Sequence, residues 1–530
     1  MSSLHVRRLP LAQALRLQGP SAIWFKPALS VVASAGPPNL LLLALGRLDL
    51  ALYTMAGSLC ALYAHHRPYA ARARVLAGVV LGMTTGLAAA LLTSALTPGP
   101  VVLVIVGALL AAVQKTLCEA TRVGPPGNVV VTFISSAALF VPQTPGRIPG
   151  HIGLALAAGA WAWLVCMAPG LLRPHGPERR AVAAALHAAA GQEDGGLRAR
   201  TAVHTAWQTL HTPGVRPDPT RRALAHLLTH AEAALAAPAE ADPRRLRDWA
   251  GALRGTARVP EVPAPQGAYP HPGPHPAPAA GRRGLLHSLA PTATRTALGC
   301  ALAGTAALAL GVGRPYWALV TAASLVQANV TLIWSRGVQR VVGNLLGVLL
   351  FAALTPLTHL HPAALVLSVL ACAFGAEALI ARNYWLGTVC VTPMALLITE
   401  FTRLQNPGEL IAQRTLDTLV GALAGLAAAV VVTNRRAGDR VAEALTAVEH
   451  ARAHTEYLLG HPAPAPHDLP AAHRGLASAL TELRAAADTA SGEWWSRPVP
   501  AERLTLAERA GHRTLTAAVR HPGAAPWKQD

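Results

Sequence analysis

Two arginines four residues apart, Arg336 and Arg340, stand between apolar stretches of this chain. The guanidinium is a planar fork of N–H donors that grips a carboxylate at two points. A pair of them on one helix face, near a cytosolic mouth, would attract an organic anion from inside. The same charges would also fix topology, because positive residues beside apolar spans stay on the cytosolic side. Just upstream, Thr321, Ser324, Gln327 and Thr331 recur at intervals of three and four, which sets polar groups along one face of a helix. Such a stripe suits a wet path, and it equally suits hydrogen bonds between helices inside a bilayer. Asn329 falls off the stripe.

Arg414 and Asp417 are three residues apart and close enough for a local ion pair. A structural pair and a role in proton-coupled gating both remain open, since ionisable groups inside apolar segments often mark transport paths. Glu377 and Glu119 occupy similar late positions in two other apolar blocks, where each could also reach the cytosolic interface; Lys115 and Lys26 are equally ambiguous. Arg74 offers a first-half charge approximately equivalent to Arg340. Tyr316, Trp317, Tyr384 and Trp385 could stack on an aromatic substrate, but their places at the ends of spans favour an interfacial belt. There is no glycine loop of the Walker type followed by Lys and Ser or Thr, and no grouped nucleophile, base and orienting acid. The chain therefore reads as a non-enzyme, with no cofactor and no metal site.

Long apolar elements must position these groups. Of 530 residues, 52% are hydrophobic and 13% charged, and mean hydropathy is +0.36; a soluble domain carries charge on about a quarter of its residues. The apolar residues fall in blocks of about twenty, enough for a helix to cross a hydrocarbon layer roughly 30 Å thick. Candidate spans lie near 22–45, 48–64, 75–96, 100–118, 128–141 and 151–172, then near 292–312, 316–334, 341–358, 363–381, 384–401 and 411–433. Basic residues gather at Arg7, Arg8 and Arg16, at Arg67, Arg72 and Arg74, at Arg173, Arg179 and Arg180, and again at Arg282 and Arg283, at Arg336 and Arg340, and at Arg435 and Arg436. This rhythm places both ends of each half in the cytosol. The net charge of +19 follows from these clusters, and the lack of any nucleic-acid module excludes nucleic acid as the expected partner.

The fold expected is all-α: a polytopic membrane protein of two parallel repeats, each of about six transmembrane helices, with cytosolic helical segments. Arg47-x3-Ala51-Leu52-x-Thr54 matches Arg314-x3-Ala318-Leu319-x-Thr321, and Gly78-x3-Gly82 matches Gly343-x3-Gly347. An even number of spans per half relates the halves by an axis along the membrane normal. The divisions are 1–173 for the first bundle, 174–258 for a cytosolic helical segment, 259–284 for a proline-rich linker, 285–436 for the second bundle and 437–530 for a C-terminal cytosolic helical segment. His271 and His275 belong to the proline-rich run and read as linker. Trp494 and Trp495 beside Arg497 suit either a membrane interface or a helix contact. The six cysteines lie within or at the ends of apolar blocks, without the spacing of a disulfide framework or zinc site. No cleaved signal peptide is expected at the N-terminus.

The run Arg314-Pro315-Tyr316-Trp317-Ala318-Leu319-Val320-Thr321, then Gln327-Ala328-Asn329 and Arg336-Gly337-Val338-Gln339-Arg340-Val341-Val342-Gly343-Asn344-Leu345-Leu346-Gly347, resembles the fusaric acid resistance protein family, FUSC. Arg414-Thr415-Leu416-Asp417-Thr418-Leu419-Val420-Gly421 resembles that family's final membrane helix. The chain departs at Ala328, where the family often has proline, and at Asn344, where a small hydroxyl residue is common. The resemblance is strongest over 291–436 and weaker over 20–172. It implies a secondary exporter of small aromatic or other organic acids in a bacterial inner or plasma membrane, driven by the proton gradient. A passive organic-anion channel and a nontransporting scaffold with partner-binding cytosolic helices are the alternatives. Expected partners are the lipid bilayer and a small organic anion, and helix faces offer surface for a homo-oligomer of unspecified stoichiometry.

Overall fold

The computed structural model describes residues 11–17, 19, 24–191, 197–212, 218–236, 241–255, 257–263, 282–432, 437–461, 468–493 and 501–520. Among them every extended regular element is a helix. After α1 (Leu11–Leu15) come α2 (Phe25–Ala44), α3 (Ala51–Ser58), α4 (Tyr69–Leu96), α5 (Pro100–Ala120), α6 (Val129–Leu139) and α7 (Ile148–Leu172). Four helices follow: α8 (Gly176–Gly191), α9 (Leu197–Leu210), α10 (Pro219–Ala236) and α11 (Pro243–Arg254). The second bundle holds α12 (Arg282–Ala309), α13 (Tyr316–Leu325), α14 (Val330–Thr358), α15 (Pro362–Ile380), α16 (Tyr384–Glu400) and α17 (Pro407–Val431), and α18 (Ala437–Gly460), α19 (Asp468–Ser491) and α20 (Ala501–Arg520) complete the chain.

Seven helical stretches among the described residues are long and apolar enough to cross a membrane, those of α2, α4, α5, α7, α14, α15 and α17. Leucines on them stay exposed, among them Leu41 (59%), Leu171 (88%) and Leu423 (69%), which is the surface that lipid covers. Four further apolar helices are shorter: Leu48–Leu62, Val129–Leu139, Tyr316–Leu325 and Tyr384–Glu400. Every residue of α13 is buried, as are most of α6 and α16. A helix encased in protein need not match the hydrocarbon thickness, because its neighbours and not lipid surround its ends. That is why the second and fifth elements of each half fall below spanning length.

The packing follows small residues. A Cβ at Gly343 would stand 2.6 Å from Thr388 Cβ, and one at Gly347 2.5 Å from Thr392 Cβ, so these glycines bring α14 against α16. Gly421 does the same for α17 on α13, where a Cβ would meet the Ala318 carbonyl at 2.4 Å. In the first half Gly57 of α3 closes on Ala155 and Gly159 of α7. Gly78 and Gly82, which match Gly343 and Gly347 in sequence, face open space; Gly86 is the α4 glycine pressed against Gln114 and Ser135. The two matching motifs therefore do different packing work. Across the halves, α12 packs on α5 and α15 on α2, and one core runs from Leu91 and Ile134 to Trp317, Phe351 and Leu396.

The expected span 316–334 is not one helix. It stops at Leu325 and restarts at Val330, where Asn329 caps α14 by accepting from the Leu332 amide at 2.9 Å. The Val326 carbonyl left by the break takes a hydrogen bond from Lys115 Nζ of α5 at 3.1 Å. Apolar continuity hid the stop, whereas the capping asparagine marked it. Outside the membrane bundles, α8–α11 close on a core that includes Leu186, Leu224, Leu227 and Leu253. The helices α18–α20 pack on Leu445, Leu476 and Leu483. Arg7, Arg8, His271, His275, Arg435, Arg436, Trp494, Trp495 and Arg497 lie outside the described residues.

Candidate functional site

The junction of α13, α14, α16 and α17 gathers several buried charged and polar side chains of the second bundle. Arg340 is 3% exposed, Asn344 and Arg414 are 1%, and Asp417 is 0%. Arg340 and Asn344 are one helical turn apart on α14, so their Cα atoms sit about 6 Å apart along the axis. Asn344 Oδ1 accepts from Arg414 Nη2 at 3.1 Å and from Thr392 Oγ1 of α16 at 2.5 Å. Arg340 Nη1 donates to Tyr384 Oη at 3.0 Å, while the Arg336 guanidinium lies 3.7 Å from the centre of the Tyr384 ring. The Arg414 guanidinium lies 4.1 Å from the centre of the Trp317 ring. Cations over aromatic faces are attracted by the ring quadrupole, more strongly where water is excluded.

These contacts leave donors over. Arg336 Nε, Arg340 Nε, Arg414 Nε and Nη1, and Asn344 Nδ2 are buried without a hydrogen-bond partner, and so are both carboxylate oxygens of Asp417. Among the described residues no carboxylate forms a salt bridge with Arg336, Arg340 or Arg414. A buried unpartnered donor costs about 1–3 kcal/mol and an unpaired charge more. Stability alone would have replaced this set by apolar side chains. What the junction can do chemically is hold an anionic oxygen among guanidinium and amide donors, beside the flat faces of Tyr384 and Trp317.

The structure brings Thr321, Ser324, Arg336, Arg340, Arg414 and Asp417 to this one region. Thr321 is fully buried with its hydroxyl unpartnered. Ser324 donates to the Thr321 carbonyl at 2.7 Å and faces Tyr384. The polar stripe is broken, however: Gln327 and Asn329 belong to the stretch between α13 and α14, and Thr331 begins the next helix. Asn329 is taken up in capping α14. Arg414 and Asp417 do not make the expected ion pair, because Arg414 turns to Asn344 and Trp317. No hydrogen bond or ion pair ties Glu377, half-buried on α15, to the junction among the described residues. Arg74 is exposed and bonds its own helix through the Ala70 carbonyl; the buried arginine of α4 is Arg72, held by the Cys166 carbonyl and His65. Lys115 pairs with Glu119 at 3.0 Å.

Trp317 and Tyr316 are 2% and 7% exposed, so they are not an interfacial belt; the close packing of α17 on α13 draws them inside. Trp385 donates to the Leu15 carbonyl of α1. Toward the other end of the bundle the polar file continues through Arg314, which donates to Thr399 Oγ1 and Gln405 Oε1, to Glu400. Glu400 accepts from or shares a proton with His359 Nε2 at 3.3 Å, and its second oxygen is buried and unpartnered. Glu400, His359, Thr388 and Thr392 were not singled out in the sequence. A lone carboxylate closing an apolar helix, and two threonines one turn apart facing a glycine pair, were the signals available.

Residues 301–428 match the model of the fusaric acid resistance protein-like family. No curated protein and no solved structure matches the chain. The matched region runs from within α12 almost to the end of α17 and contains every member of the arginine junction. The chain is a multi-pass membrane protein that carries, at residues 301–428, a domain of the fusaric acid resistance protein-like family.

Proposed function

We propose that the chain is a secondary exporter of small aromatic or other organic acids, coupled to the proton gradient and working without enzymatic chemistry. The observation that carries this reading is the junction of half-buried Arg336 with buried Arg340 and Arg414, with donors left over and no carboxylate in a salt bridge with them among the described residues. Guanidinium groups that are neither neutralised nor fully hydrogen-bonded suit a carboxylate, and the Tyr384 and Trp317 faces beside them suit a planar body. Asp417, buried and unpartnered next to this positive set, is the carboxylate that would exchange a proton during the cycle. Thr321 and Ser324 line the approach, with Gln327 and Asn329 at the break; Arg74, exposed on α4, and Glu377, half-buried on α15, lie outside this path as proposed.

Two parallel repeats account for the arrangement. In both halves the second and fifth elements are short, and α3 packs on α7 as α13 does on α17, and α4 on α6 as α14 does on α16. Exchanging the halves helix for helix turns the α5–α12 contact into the α15–α2 contact. That reciprocity favours an axis along the membrane normal, with rocking of the two bundles as the transport motion. The basic clusters favour N- and C-termini in the cytosol of a bacterial inner membrane. Purified protein in liposomes is expected to move an aromatic carboxylate in a manner set by an imposed pH gradient. No flux across a broad panel of acids would overturn the reading, and anion current indifferent to the pH gradient would replace it with a passive channel.

A further inference from the structure

The end of α19 is bound to the stretch between α13 and α14. Asn329 Nδ2 donates to the Asp488 carbonyl at 3.2 Å, and the Gly492 carbonyl accepts from both the amide and the hydroxyl of Thr331, at 3.2 and 3.0 Å. Gly492 lies so close that a Cβ there would stand 2.3 Å from the Asn329 amide group. Next in the chain, Glu493 accepts from Arg295 Nη2 of α12 at 2.9 and 3.0 Å, while Arg295 Nε reaches the Val432 carbonyl at 2.6 Å. Arg295 is 2% and Glu493 6% exposed. From the opposite side Lys115 of the first bundle holds the Val326 carbonyl.

A buried ion pair adds little to stability over an apolar replacement, yet breaking one partner is costly. Its use is to fix one arrangement against others. The pair here joins the segment after α19 to α12, while the adjoining contacts clamp the non-helical stretch between α13 and α14, at the edge of the arginine junction. Ser324 is one residue before the end of α13, and Arg336 and Arg340 lie within three turns of the start of α14. This stretch at the edge of the junction is thus tied to the end of α19.

We propose that residues 488–493 are a latch, by which the C-terminal segment holds the α13–α14 break in place and keeps the inner end of the arginine junction closed until it lets go. Which ligand then enters rests on the transport reading above; the latch itself does not. The test is a full-length chain with its six native cysteines replaced and Ser324→Cys as the single thiol, exposed in detergent to a charged methanethiosulfonate reagent. Ser324 is 2% exposed, so slow labelling is expected with the latch intact. Glu493→Gln, which keeps shape and removes charge, and Gly492→Ala, which wedges the contact, should each raise the rate tenfold or more. Equal rates in the Glu493→Gln variant and its parent, with unchanged elution profile and helical content, would overturn the latch. Fast labelling of the parent itself would overturn it too. Because no transported substrate is needed, a chain that moved no acid would still decide this point.

Discussion

The two membrane bundles place their buried polar groups differently. In the first, Gln114 donates to Ser135 Oγ at 2.8 Å and accepts from Thr132 Oγ1 at 3.0 Å, and Asn128 donates to Thr132 at 3.2 Å. This network is neutral, and none of its atoms is left without a partner. In the second, three arginines and an aspartate meet with donors and acceptors unused. Helix starts differ as well: α14, α15, α16 and α17 are each capped by a side chain, from Asn329, His361, Asn383 and Asn406, whereas α2 to α7 have no such cap. The lesson is that similar helix packing in two bundles does not fix how charge is placed within them. The first bundle holds a neutral hydrogen-bonded network apart from a single buried arginine of α4, Arg72, whereas the second gathers three arginines and an aspartate in one place.

The sharpest way to break this contrast is Arg414→Gln, which keeps a donor for Asn344 but removes the charge. Transport of an aromatic acid by reconstituted protein should drop about tenfold or more, with helical content retained. Arg340→Lys keeps the charge and loses the planar fork; a fall of about fivefold is expected, because a point charge cannot grip a carboxylate at two points. Gln114→Ala in the first bundle should do the reverse, lowering stability by about 1–2 kcal/mol through lost hydrogen bonds while flux per folded molecule stays the same. Comparable loss of flux in Gln114→Ala would dissolve the distinction between the halves.

A smaller effect belongs to the segment between the bundles. Burial pushes the Glu232 carboxyl up to about 7, against the pull of the Trp207 Nε1–H bond at 2.7 Å and of Arg474. The folded state therefore binds this proton more tightly than the unfolded chain does. Stability of α9 and α10 is highest at or below the ordinary carboxylate value, falls as pH rises toward about 7, and levels off above it. Hydrogen exchange of these helices should quicken from pH 5 to pH 8, after correction for the intrinsic rate, and Glu232→Gln should flatten the change. Smallest of all is Arg74→Ala: on an exposed face it should alter stability by no more than about 0.5 kcal/mol and leave flux unchanged.

The helical, membrane-spanning character was legible because lipid leaves few alternatives to a helix and its apolar length. That Arg340, Arg414 and Asp417 would lie buried was legible for the same reason, since they stand inside or at the edge of apolar blocks. Three things were not. The stop at Leu325 lay within a largely apolar stretch whose polar residues, Gln327 and Asn329, fit a helix face as readily as a break, and the capping role of Asn329 was the mark of the stop. The inward turn of Trp317 depends on Gly421 letting α17 approach α13, a contact between residues a hundred positions apart. Arg414 prefers Asn344 to its helix neighbour Asp417, which sequence spacing could not reveal, and Arg74 is exposed where Arg340 is buried, a difference in packing that the matching runs do not encode.

The central claim is that the second bundle, through its unpaired arginines, is where an organic anion is held. The most direct measurement is titration of detergent-purified protein with small aromatic carboxylates by calorimetry, comparing the unaltered chain, Arg414→Gln and Gln114→Ala. Saturable binding that Arg414→Gln abolishes and Gln114→Ala leaves intact is the predicted result. Binding that survives Arg414→Gln, or that disappears equally in both variants, would contradict it.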